Sequence, residues 1–163
     1  MRNKCNSQPE MENLEIDVAG LDVMSPSERN AVWSVGVAVV DITPQEPIHL
    51  AGYGYPDRPV PTGIVAHPIA VKAFAMRHKD GSSGIFLAAD LIGLSAEVCG
   101  EIGRRCEEEL GFRRDQVMLT ATHTHSGPIV KPFNPCCYGV APENLPAIDR
   151  YTEKVIASSV AVI

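Results

Sequence analysis

An α/β fold built on a mixed sheet is what this sequence predicts, and three stretches carry the prediction. Lys79-Asp80-Gly81 separates two apolar, strand-forming runs, Ile69–Arg77 and Ile85–Ile92, with the residue types of a hairpin turn. Ser95 then stands before a segment in which Val98, Ile102, Cys106 and Leu110 recur every fourth residue, the pattern of a helix with one buried side. Within roughly 40 residues of the second run, a third apolar run begins at Val117. Strand, helix, strand at that spacing is a βαβ unit, so the runs 85–92 and 117–123 are expected as parallel neighbours.

The elements follow in chain order. Residues 1–30 carry several acids, two prolines and no sustained periodicity, and read as a flexible leader before a domain over 31–163. From Ala31, Ala-Val-Trp-Ser-Val-Gly-Val-Ala-Val-Val reads as a strand that Asp41-Ile42-Thr43-Pro44 ends. Residues 45–61 are dense in Pro, Gly and Tyr, so they form a surface loop or a loop laid against a cleft, where glycine lets backbone approach a ligand closely. Ile85-Phe86-Leu87-Ala88-Ala89 is apolar throughout, as in a strand covered on both faces. Gly111 closes the helix. Five prolines between 126 and 146 predict a long irregular loop, and Ile148–Ile163 a second helix with Ile148, Tyr151, Val155 and Ile156 on its buried side. The apolar end Val160-Ala161-Val162-Ile163 reads as cut rather than finished.

Composition narrows the function. Of 163 residues, 45% are hydrophobic and 21% charged, ordinary globular usage. The net charge is -6, and Arg104-Arg105 and Arg113-Arg114 are isolated doublets that read as solvated surface charge, so no nucleic-acid partner is expected. No run approaches the roughly 20 apolar residues of a bilayer span. Arg2 and Lys4 are followed by polar and acidic residues where a signal peptide needs apolar ones, so the chain as written reads as cytoplasmic. Five scattered cysteines form neither a disulfide framework nor a zinc knuckle; Cys99 and Cys106 read as small buried hydrophobes.

The chemistry concentrates at His123-Thr124-His125, ahead of Ser126-Gly127-Pro128. On an extended backbone, residues two apart face the same side, so both imidazoles can aim at one point at the end of a strand. Imidazole binds zinc-like metals and moves protons near neutral pH. The plainer alternative is a strand end with two solvated histidines. In open α/β sheets, sites form beyond the carboxyl ends of strands. Asp90 lies at that end of the preceding strand, placed either to orient an imidazole or to bond local amides. Cys136-Cys137 could join the histidines around a metal, although adjacent thiolates seldom reach one ion without strain.

Ala121-Thr122-His123-Thr124-His125-Ser126-Gly127-Pro128 closely resembles a signature of the neutral/alkaline, non-lysosomal ceramidases. Upstream, Val35–Pro44 resembles that family's opening strand and Ala51-Gly52-Tyr53 its Gly-Tyr loop. Val71–Met76 and Ala88–Leu94 resemble its next two strands. The resemblance implies a zinc amidase that cleaves the N-acyl bond of ceramide into sphingosine and fatty acid. It assigns His123 as a Zn2+ ligand, His125 to the scissile amide region, and Gly52 as a backbone amide close to substrate. The family's second-strand histidine corresponds to His67, or to Ala66 if Pro68 sets the register. Its other ligands, a further histidine, a glutamate and a tyrosine, and its serine segment come from sequence beyond this length. His49 and His78 have no matching context, and His78, beside the hairpin turn, is expected to be solvated. The resemblance therefore implies the incomplete N-terminal part of a larger, ceramidase-type catalytic domain, inactive alone, with a ceramide-like N-acyl lipid as substrate of the whole. It also includes an apolar surface prone to self-association. The alternative is a non-catalytic remnant or small metal-binding protein.

Overall fold

The computed structural model describes residues 32–53, 57–58, 60–132 and 138–163. Readings of the leader over 1–30, of Gly54–Pro56 and of Cys136-Cys137 fall outside these residues. The sheet has four strands in the order β1 (Trp33–Asp41), β2 (Ala70–His78), β3 (Ser83–Ala89) and β4 (Val117–Ala121). β1 and β2 pair antiparallel, β2 and β3 form the expected hairpin, and β3 and β4 are parallel across the βαβ crossover. The α/β class and mixed sheet are as the sequence predicts.

Helix α1 (Ala96–Leu110) begins where Ser95 Oγ accepts from the Val98 amide at 3.1 Å. Its Val98, Ile102 and Cys106 are buried against Ile85 and Val117, whereas Leu110 is exposed at the last turn. Cys99 is only partly buried. Helix α2 (Leu145–Val162) starts three residues earlier than its apolar pattern suggests, because Pro146 fits a first helical turn, where no amide partner is lost. Ile148, Tyr151 and Val155 pack with Ile42, Val71, Leu87 and Leu91 in the main core. Among the described residues, no helix is long and apolar enough to cross a membrane.

The outer face of the sheet corrects one expectation. β3 is not covered on both faces. Val37, Phe74, Phe86 and Met118 align across all four strands, and each is exposed, Val37 at 77% and Met118 at 60%. The other face, bearing Val71, Ala73, Ile85, Leu87 and Val117, is buried. An apolar run predicts burial on both faces, but the described residues place a helical layer on only one.

The polar details also differ in places. Arg104 and Arg105 are tied into ion pairs with Glu101, Glu108 and Glu153. His78 is not simply solvated: its Nδ1 lies 2.9 Å from Asp80 Oδ2 and its ring 4.8 Å from that of Trp33. The Asp80 carboxyl, held first by the Ser82 backbone amide and then by His78, is pulled down to about 2.

Candidate functional site

The segment after β4 is where the sequence places its chemistry, and its path is set by the neighbouring strand. β4 ends at Ala121, so the histidines lie beyond it. Thr122 N donates to Ala89 O at 3.0 Å and Thr124 N to Leu91 O at 3.2 Å, continuing the parallel ladder past the strand. Between these anchors His123 adopts φ 61°, the left-handed region that costs a non-glycine residue about 1–3 kcal/mol and recurs at functional positions. The two imidazoles therefore converge through a strained turn, and not through the alternation of an extended strand.

They do converge. His123 Nδ1 is 2.7 Å from Ile92 O, and a carbonyl only accepts, so Nδ1 carries the proton and Nε2 the free lone pair. His125 Nε2 lies 3.4 Å from that Nε2, with the rings tilted at 74°. With the His123 lone pair at Nε2, this contact is satisfied either by a hydrogen bond donated from His125 Nε2–H or by a cation that both lone pairs face. Two nitrogens bound to one tetrahedral zinc at ordinary length stand about 3.3 Å apart. The pair therefore fits two corners of such a centre. Among the described residues there is no cluster of three or more His, Cys, Asp or Glu able to hold a metal ion.

Loop 48–53 wraps the motif from the other side. Leu50 bridges Pro128, Ala51 N donates to Gly127 O at 2.8 Å, and Ile129 N donates to His49 O at 2.9 Å. Gly52, at φ +104°, lies so close to His125 that an added Cβ would stand 2.4 Å from its Cα and 2.6 Å from its Cγ. Only glycine fits both that conformation and that gap. The Tyr53 ring meets the His125 ring edge-on at 5.4 Å. Arg58 stacks its guanidinium over Tyr53 at 4.6 Å, and its Nη1 donates to His125 O at 2.7 Å and Ala51 O at 3.2 Å.

Gly52, His123 and His125 are thus brought together. Asp90 is engaged elsewhere: Oδ2 accepts from Ala70 N at 3.1 Å and pairs with Lys72 Nζ at 2.9 Å, the local-amide alternative with an added ion pair. His67 lines a cleft of about 350 Å³ with Leu50, Ile64, Val65, Thr124 and Ser126, whose lining does not include the two motif histidines. His49 is buried, its Nε2 3.3 Å from Asn144 Nδ2, and burial pushes its imidazole below the ordinary value. Sequence reasoning found no role for Arg58 or Asn144. The one available signal was that Arg58 is the only Lys or Arg between Gln45 and Pro61.

With this geometry in view, known proteins sharpen the reading. Neutral ceramidase A of Dictyostelium discoideum is 28% identical over 100 residues, covering 59% of this chain and 14% of that protein. The crystal structure of neutral ceramidase from Pseudomonas aeruginosa superposes with a TM-score of 0.61 at 20% identity, over 80% of this chain and 20% of that one. A ceramidase complexed with C2 gives 0.64 at the same identity and coverage. Over this region the chain is similar to the neutral ceramidases in sequence and in fold. It spans about one seventh to one fifth of the length of these relatives. No family model matches the sequence.

Proposed function

We propose that this chain carries the histidine portion of a zinc-dependent, ceramidase-type amide hydrolase centre whose substrate is a ceramide-like N-acyl lipid. The observation that carries the reading is the pair of facing Nε2 atoms, with the His123 tautomer set by Ile92 O. His123 Nε2 would hold the zinc. Zinc held there would supply polarisation of the amide carbonyl and a water of pKa about 7. His125, walled by Tyr53 and held at its carbonyl by Arg58, presents Nε2 toward the same point and is placed to contact the scissile amide region. The backbone of Gly52 approaches this ring closely and offers an amide near the substrate. Ceramidase relatives support the lipid substrate class.

A catalytic zinc usually takes three protein ligands and an open position. The described residues supply two imidazoles, so negligible hydrolysis is expected from these 163 residues alone. The test is zinc titration of the purified chain against a chromophoric chelator, alongside hydrolysis of a fluorescent N-acyl sphingosine. Stoichiometric binding at micromolar affinity or better, lost in His123→Ala, is the expected result. Binding unchanged by that substitution would overturn the ligand assignment. Binding without hydrolysis even when a relative's remaining catalytic region is supplied in trans would favour a non-catalytic metal-binding protein.

A further inference from the structure

We propose that Arg58 is a positioning residue for His125, a latch that fixes this imidazole opposite His123. The inference rests on the zinc-centre reading for its purpose, but its geometry stands independently. Arg58 reaches across 67 residues of sequence to His125 O, while the same Nη1 also holds Ala51 O. One guanidinium nitrogen therefore joins the Gly-Tyr loop to the histidine segment at the backbone. Its plane covers the Tyr53 ring at 4.6 Å, and Tyr53 in turn meets the His125 ring.

The chemistry suits arginine. Both acceptors are neutral carbonyls, and among the described residues Arg58 is the one side chain that donates to them; a cationic donor strengthens each bond. A planar, weakly hydrated guanidinium can stack on an aromatic face while donating in its own plane, which a lysine ammonium cannot do as well. His125 is held by three neighbours: Gly52 beneath its Cα, Tyr53 at its ring and Arg58 at its carbonyl. Of these, Arg58 alone touches both of the others' surroundings, through Ala51 O and the Tyr53 face. Removing it leaves the loop tied to the segment through Ala51 N and Gly127 O, but takes away the bond to His125 O and the stacking that orients Tyr53 against the His125 ring.

The experiment is NMR of the full chain, labelled at its histidine and tyrosine rings, comparing the native residue with Arg58→Met and Arg58→Lys. Without zinc, the Tyr53–His125 ring contact should give a cross-peak that is lost in Arg58→Met and partly regained in Arg58→Lys. Amide shifts of β3 and β4 should stay unchanged, separating misplacement from unfolding. With zinc as the probe, both rings should respond in the native chain, whereas His125 should lose its response in Arg58→Met and His123 keep it. A substitution of this supporting kind should also weaken zinc binding about tenfold. An undiminished Tyr53–His125 cross-peak in Arg58→Met would overturn the latch, whatever zinc does. Failure of the native chain to respond to zinc at His123 would instead overturn the metal reading, and the cross-peak would still decide the role of Arg58.

Discussion

Replacing Gly52 by alanine tests the seating of the Gly-Tyr loop on His125 most severely. An alanine Cβ would stand 2.4, 2.5 and 2.6 Å from the Cα, Cβ and Cγ of His125. These atoms belong to backbone and side-chain root, so no flexible tip can swing aside. The residue must also hold φ +104°, and a left-handed conformation costs an L-residue about 1–2 kcal/mol. Overpacking adds about 1–3 kcal/mol. Together these give a loss of about 2–5 kcal/mol, a large share of the about 5–15 kcal/mol that a domain possesses. Two controls separate the terms. Gly81→Ala faces φ +93° with nothing within 4 Å, so it should show only the backbone cost. Gly36→Ala has open space and no positive φ, and should be neutral or stabilising by up to about 1 kcal/mol. Urea unfolding followed by tryptophan fluorescence and circular dichroism reads all three. Equal losses for Gly52→Ala and Gly81→Ala would refute the close approach of Gly52 to His125.

Other consequences are open to direct measurement. Burial lowers the His49 pKa, so the unfolded chain binds more protons below its ordinary value near 6.5. Stability attributable to His49 is therefore full above that value and lost as pH falls through it toward the folded pKa; His49→Gln should flatten the slope of stability against pH between 5 and 8. The Tyr151 hydroxyl is buried with no hydrogen-bond partner among the described residues, so Tyr151→Phe should raise stability by about 1 kcal/mol, read as a higher Tm, and a fall of that size would reveal a hidden partner. The exposed row Val37, Phe74, Phe86 and Met118 should drive self-association in sedimentation velocity, relieved in a Val37→Lys, Phe86→Lys variant. A native chain that sediments as a monomer at high concentration would contradict this.

Local chemistry made much of the fold legible. Ser95 and Gly111 mark the ends of α1, and Lys79-Asp80-Gly81 marks the hairpin, because caps and turns are decided by a few neighbouring atoms. The identity of the histidine pair was legible, but its route was not. A run such as Val117–Ala121 implies that extension continues, and nothing in Thr122-His123-Thr124 announces a left-handed residue. The exposed outer face was equally hidden, since Phe86 reads as core whether or not a layer covers it. Arg58 and Asn144 act through contacts 67 and 95 residues away, which no periodicity records.

The central claim is that His123 and His125 present their Nε2 atoms to one cation. Long-range proton–nitrogen correlation of the imidazole rings during zinc addition tests it most directly. The account predicts that Nε2 of His123 shifts on binding while its Nδ1 stays protonated against Ile92 O, with the His125 ring responding in step. Zinc that shifts Nδ1 of His123, or leaves both rings unmoved at saturating concentration, would contradict it.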